Sequence, residues 1–232
     1  MFEAIETIDW AAVPGPAGLY QPGKVAPALR ALAQSTDEAS ADAAIRPLED
    51  GGLFDRHCGC VHPASLVAAP VLMDIAEHGP AAAFGAVCVL LRGALTGCPW
   101  VEDGTDALLC CAIAESVRAR AALFEARGDQ CALNVLKEAD AHWALTVSEV
   151  PPDQRPGNVL ALGRLVGVPG RAYAPCELRI PGHPARRVEA CATVVSAPAA
   201  VGGEALVRFS FVEEGQIQPG HVLAAPCHDN VF

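Results

Sequence analysis

The densest group of potential metal ligands in the sequence runs from His57 to His62, in the order His-Cys-Gly-Cys-Val-His. Two cysteines and two histidines are a common ligand set for Zn²⁺, which requires four donors that converge at tetrahedral angles. A single residue separates Cys58 from Cys60, which is tighter than the usual spacing of paired zinc ligands. We therefore interpret His57, Cys58, Cys60 and His62 as a structural turn and predict no bound metal.

A second candidate site, the segment Gly18-Leu-Tyr-Gln-Pro-Gly-Lys24, mimics the two glycines and the lysine of phosphate-binding loops. Val25 stands where such a loop carries the Ser or Thr that binds Mg²⁺, and Pro22 lacks a backbone N–H that phosphates would need. No hydrophobic strand precedes the segment. We predict a turn that opens a helix and no nucleotide cofactor.

The remaining histidines could pair with cysteines near the end of the chain, but no catalytic motif accompanies them. His183, His221 and His228 would have to approach Cys176 or Cys227, and no Gly-x-Ser-x-Gly, His-Glu-x-x-His or Cys-x-x-Cys motif is present. The acidic residues of the first half also lack the paired pattern of general acid–base catalysis. We predict a protein without catalytic residues.

The charge of the chain is unevenly distributed. The formal net charge is −11, and the acidic and basic residues after Val150 balance, so the first 150 residues carry all of it. An acidic surface repels nucleic acids and anionic membranes and attracts basic proteins. A surface that is merely soluble is the simpler interpretation of the same charge.

The cysteines and the N-terminus indicate a cellular location. The first residues lack the basic and apolar stretches of a signal peptide. The longest apolar helical run, between His78 and Arg92, is too short to span a bilayer. We expect a cytoplasmic protein whose 10 cysteines stay reduced and serve as small buried apolar residues, as at Cys88, Cys110 and Cys111.

Apolar residues that recur every three or four positions predict a helical first half. In the helix that follows the His–Cys turn, Pro63 suits the first helical position and Pro70 should bend the axis. Pro47 is a candidate break in the preceding helix. We predict helices over residues 24–34, 37–53, 63–77, 80–95, 105–128 and 133–147, with a loop over residues 97–104. Helix pairs of this spacing are typical of an α-solenoid.

The period changes from near four to two after Pro151. Cys176, Leu178 and Ile180 alternate with polar residues, and so do the apolar residues between Ala205 and Val212. Short strands with frequent Gly and Pro indicate a small antiparallel barrel or sandwich. We predict an α+β protein with an α-solenoid of helical hairpins over residues 1–150 and a β-barrel over residues 151–232.

The first half resembles HEAT-like helical-repeat proteins, in particular bacterial immunity proteins of polymorphic toxin systems. The resemblance covers residues 10–147, with Cys58 where a Gln is usual, and it implies a concave surface that grips a protein. The residues that carry it are Trp10, Tyr20, Val25–Leu29, His57, Gly59, Ala69–Leu72 and Ile75.

The second half resembles the second domain of translation elongation factor Tu over residues 155–227. The resemblance implies a barrel that contacts other macromolecules, without GTPase activity because no GTP-binding domain is present. The segments that carry it are Gly163–Gly167, Glu177–Gly182, Val201–Phe209 and Ile217–Leu223.

We therefore expect a non-enzymatic protein that binds a basic partner, most concretely an immunity protein that neutralises a toxin. Trp100 would supply an aromatic anchor, and carboxylates would meet the basic surface. Those carboxylates are Asp37, Glu38, Asp42, Glu102, Asp103 and Asp106. The alternatives are a translation-associated adaptor that acts through the barrel, and a hydrolase or metal enzyme built on the His–Cys cluster.

Overall fold

The computed structural model describes residues 2–100, 108–169, 174–181, 183, 186–197, 203–213 and 215–225. The chain divides into two compact units. The helical unit comprises Met1–Trp100 and Ala112–Ala139, and the sheet unit comprises Val101–Cys111 and Asp140–Phe232. The mixed α and β content predicted from the sequence is confirmed.

Between residues 25 and 96 the helices follow the predicted positions to within four residues. Two short 3₁₀ helices, Trp10–Ala12 and Pro22–Lys24, precede the second α-helix. The α-helices are α1 (Phe2–Thr7), α2 (Val25–Ala33), α3 (Glu38–Glu49), α4 (Ala64–His78), α5 (Ala81–Thr96), α6 (Leu109–Arg118), α7 (Ala121–Arg127) and α8 (Gln130–Ala141).

The core of the helical unit forms where the apolar faces of these helices meet. In α2, Val25, Leu29 and Leu32 are fully buried, because steps of three and four residues place them on one face. Helix α2 packs against α3, and α5 packs against both α3 and α4. Helix α3 continues through Pro47, so the candidate break there is wrong.

A small sheet interrupts the succession of helices. Its strands are β1 (Phe54–Asp55), β2 (Cys60–Val61) and β3 (Cys98–Pro99), in the order β1-β2-β3. Strand β2 pairs antiparallel with β1 and parallel with β3. Strand β3 lies inside the predicted loop over residues 97–104, so that part of the loop prediction is wrong.

The predicted HEAT-like solenoid is corrected by these observations. A solenoid stacks at least about three regular repeats, and the third predicted pair over residues 105–147 does not form. The described part of that stretch consists of three short helices, α6, α7 and α8, followed by a strand. The small sheet further separates α3 from α4.

The described residues of the sheet unit form six longer strands. Each strand pairs with two neighbours in the order β4-β5-β8-β7-β6-β9, and β9 pairs again with β4, so the sheet closes on itself. Its interior is apolar and includes Leu145, Leu178 and Phe209. The strands are β4 (Ala144–Glu149), β5 (Asn158–Val166), β6 (Ala174–Arg179), β7 (Arg186–Ser196), β8 (Glu204–Ser210) and β9 (Val222–Ala224).

Strand β4 overturns two expectations. Residues 144–147 were predicted to be helical, but Leu145 and Val147 are buried and Thr146 is exposed, which is the alternation of a half-buried strand. The resemblance of residues 155–227 to elongation factor Tu is also wrong as stated. The closed sheet requires β4, which lies before that stretch and joins β5 to β9.

Candidate functional site

The candidate site is a cleft of about 340 Å³ within the helical unit. We call it the acidic cleft, and it lies between α3, α5 and the turn that joins α7 to α8. The residues that decide its chemistry are Glu38, Asp42, Phe84, Val89, Arg127 and Asp129.

Helix α3 supplies two carboxylates to the acidic cleft. Glu38 and Asp42 are four residues apart, so they lie on the same face of the helix, and both are exposed. Neither makes a side-chain hydrogen bond or ion pair with the rest of the described chain. Both carboxylates therefore remain available to a ligand.

Asp37, the residue before α3, has a structural role instead. Its Oδ1 accepts a hydrogen bond from the Ser40 amide at 2.8 Å, while the Ser40 Oγ accepts one from the Asp37 amide at 3.1 Å. This capping box fixes the start of the helix. The hydrogen bonds from Ser40 lower the pKa of the Asp37 carboxyl below its usual value.

The opposite wall of the cleft comes from α5 and α7. The guanidinium carbon of Arg127 lies 4.5 Å from the centre of the Phe84 ring, a distance at which a cation is attracted to an aromatic face. The Phe84 ring in turn packs on Phe124, with 5.9 Å between ring centres. Val89 is 43% exposed and adds apolar surface to the lining.

Asp129 completes the rim and starts α8. Its Oδ1 accepts a hydrogen bond from the Ala132 amide at 2.8 Å, as an N-cap residue does. The rim therefore holds three carboxylates against the single guanidinium of Arg127. Apolar surface beneath an excess of carboxylates suits a lysine or arginine side chain, whose stem is apolar and whose end is cationic.

The structure brings together only part of the predicted binding set. Glu38 and Asp42 lie in the acidic cleft, whereas Asp37 caps α3. Trp100 is half-buried directly after β3, and its amide donates to the Val61 carbonyl at 2.7 Å. The other predicted residues, Glu102, Asp103 and Asp106, lie outside the described residues.

Sequence reasoning missed Phe84, Val89, Arg127 and Asp129 as cleft residues. The sequence identifies Phe84 and Val89 only as members of an apolar helix. Arg127 and Asp129 flank Gly128, where the helix was predicted to stop, and that helix end was the only signal available. No spacing along the chain relates Arg127 to a ring that lies 43 residues earlier in the sequence.

The His–Cys group does not assemble as a zinc site. His62 is fully buried and packs edge-on against Tyr20, with 5.5 Å between ring centres, whereas His57 is exposed. Burial lowers the pKa of His62. Among the residues that the structure describes, no group of three or more His, Cys, Asp or Glu side chains could hold a metal ion.

The described residues of the other two motif candidates make structural contacts. Lys24 donates through Nζ to the carbonyl oxygen of Asp50 at 2.6 Å, and the segment before it opens α2 as predicted. Cys176 is buried in the interior of the closed sheet, and His221 Nδ1 accepts from the Gln218 amide at 3.2 Å. Cys227 and His228 lie outside the described residues.

No family model matches the chain, and no curated protein matches it. The comparisons therefore support neither the HEAT-like resemblance nor the elongation-factor resemblance. Within the described residues, no helix has the length and apolar character needed to cross a membrane. What remains is a mixed α and β protein with an acidic cleft in its helical unit.

Proposed function

We propose that this chain is a non-enzymatic, cytoplasmic protein-binding protein whose acidic cleft receives a lysine or arginine side chain of a basic partner. The observation that carries the proposal is the pair of carboxylates Glu38 and Asp42 beside the exposed apolar side chain of Val89. The side-chain stem would pack on the apolar surface, and the cationic end would meet the carboxylates.

The charge of the chain supports the same class of partner. A formal net charge of −11 favours encounter with a basic protein and disfavours RNA, DNA and anionic membranes. Arg127 partly offsets the rim carboxylates, but it lies over Phe84, and neither Glu38 nor Asp42 forms an ion pair with any described residue.

The test uses two fluorescein-labelled decapeptides that differ at one position, a central lysine or a norleucine. Norleucine keeps the apolar stem and removes the ammonium group. We expect the lysine peptide to bind about fivefold more tightly, since an exposed ion pair contributes up to about 1 kcal/mol. Fluorescence anisotropy measures both affinities, and 0.5 M salt should abolish the difference.

A matched pair of variants locates the effect. Glu38→Gln combined with Asp42→Asn should remove the preference for lysine. Glu3→Gln combined with Glu149→Gln changes the net charge equally at two exposed positions outside the cleft and should preserve it. Equal binding of the two peptides to the unmodified protein would refute the proposal.

The narrower proposal is that such binding neutralises a basic toxin by covering its active surface. Its support is the acidic cleft together with the charge of the first 150 residues. Co-expression with the toxic product of a neighbouring gene should restore growth with the unmodified protein and fail with the Glu38/Asp42 variant. The alternative of a translation-associated adaptor has no support from the comparisons, because no family model and no curated protein matches the chain.

A further inference from the structure

The small sheet of the helical unit places two cysteines side by side. Cys60 of β2 and Cys98 of β3 are paired residues in the parallel ladder. Neighbouring strands lie about 4.8 Å apart, which falls within the Cα separation that a disulfide bond spans. The Cys98 amide donates to the Gly59 carbonyl at 2.6 Å, so the two strands are tightly joined at this point.

The two thiols lie on the same, outward face of the sheet. Val61 and Pro99, the residues that follow them, are both buried, and successive residues of a strand point to opposite faces. Cys98 is exposed and Cys60 is half-buried. The expectation that the cysteines are buried therefore fails at these positions, although it holds at Cys88.

A third thiol, that of Cys58, is exposed on the turn before β2. Gly59 has a φ of +66°, a conformation that side chains rarely adopt, and it turns the chain directly into β2. We call Cys58, Cys60 and Cys98 the thiol cluster. Burial raises the pKa of Cys60 to about 12, and the neighbouring Cys58 and Cys98 add to the effect.

We propose that Cys60 and Cys98 form a redox-active pair that hydrogen peroxide converts reversibly to a disulfide bond. The Cys98 thiolate attacks peroxide, which breaks the O–O bond, yields a sulfenic acid and releases hydroxide. The Cys60 thiol then displaces the sulfenic hydroxyl as water and completes the S–S bond. The two thiols lose two electrons, which reduce one peroxide, and an external dithiol reverses the reaction.

The bond would fasten β3 to β2 immediately before Trp100. It would close a loop of 37 intervening residues between Cys60 and Cys98, and cross-links of this length constrain the unfolded chain strongly. Oxidation is therefore expected to raise Tm by about 10 °C. A partner that contacts Trp100 would meet a more rigid surface on the oxidised protein than on the reduced one.

The test treats the full chain with one equivalent of hydrogen peroxide and compares its intact mass and Tm before and after dithiothreitol. We expect a loss of about 2 Da, the mass of two thiol hydrogens, and a Tm increase that dithiothreitol reverses. Digestion with trypsin should give a covalent link between the peptide of residues 57–92 and the peptide of residues 93–118.

Four serine variants assign the bond. Cys58→Ser and the control Cys131→Ser should retain the mass loss, the peptide link and the Tm increase, whereas Cys60→Ser and Cys98→Ser should lose all three. Retention of the link in Cys98→Ser or Cys60→Ser would overturn the proposal. Addition of oxygen to the unmodified protein without the covalent link between the two peptides would also overturn the proposal. This second measurement does not require any variant to fold.

Discussion

Asp153 of the sheet unit is paired with an arginine, whereas two carboxylates of the acidic cleft in the helical unit are left open. Asp153 accepts a hydrogen bond from Arg208 Nε at 2.7 Å, and its side chain is only 4% exposed. Glu38 and Asp42 are exposed and make no such bond within the described chain. The charge of Asp153 therefore stabilises the fold, whereas the charges of Glu38 and Asp42 are available for binding.

Individual cysteines of the two units differ in the same way, although Cys88 of the helical unit is buried as well. Cys176 faces the apolar interior of the closed sheet, where burial raises its pKa to about 12. Cys58 and Cys98 of the helical unit are exposed. Residue type alone therefore does not distinguish structural from reactive positions, and the distinction comes from packing.

The largest expected effect concerns the interior of the sheet unit. Phe209 is fully buried and lies 6.4 Å from the Trp143 ring centre, whereas Phe211, two residues later, is 73% exposed. Phe209→Ala should lower the free energy of unfolding by about 3–5 kcal/mol. Phe211→Ala should change it by less than about 1 kcal/mol. Urea denaturation followed by tryptophan fluorescence measures both, and similar losses would contradict the assigned interior.

The next effect concerns the paired carboxylate. The hydrogen bond from Arg208 lowers the pKa of Asp153, so the pair stabilises the fold above the unfolded-state pKa of about 3.9 and loses that effect as pH falls through the lower folded-state pKa. Arg208→Ala should therefore destabilise the protein clearly at pH 7 and much less at pH 2.5. Urea denaturation at the two pH values measures this.

Arg164→Ala is the control for that experiment, because Arg164 is an exposed residue of the same sheet. It should show only a small loss at either pH. If Arg208→Ala destabilises the protein equally at both pH values, packing of the Arg208 stem dominates and the contrast between paired and open carboxylates is weakened.

The smallest effect concerns the single cation of the acidic cleft. Arg127→Gln removes the contact with Phe84 and should lower the free energy of unfolding by about 0.5–1 kcal/mol. It should also raise the affinity for the lysine peptide about twofold, because it leaves the carboxylates unopposed. Arg92→Gln, at an exposed position on α5, should change neither quantity appreciably. Weaker binding of the lysine peptide by Arg127→Gln would contradict this prediction, because it would show that Arg127 contributes to peptide binding.

The sequence predicted the helical elements better than their arrangement. Helices α2 to α5 follow apolar residues at steps of three and four, which is a local signal. Trp143 and Val147 are also four residues apart, but they belong to the stretch around β4, where the closed sheet overrides helical spacing. Strands of two residues, such as β2, are too short to show any period.

The acidic cleft was predictable only in part for a related reason. Charge and presumed exposure singled out Glu38 and Asp42, which lie on one helix. Phe84 and Arg127 meet through tertiary packing, which no property of either residue reveals. Trp100 was singled out as an aromatic side chain, but its place beside the thiol cluster depends on a strand pairing that the sequence does not show.

Strand β4 has a consequence for shortened forms of this protein. A fragment that begins at Pro151 would lack the strand that pairs with both β5 and β9. The backbone groups of those two strands would then be open to other chains, and unpaired strand edges promote intermolecular association. A fragment that begins at Pro151 is therefore expected to form aggregates or strand-exchanged oligomers. A fragment that begins at Asp140 keeps all the strands of the closed sheet.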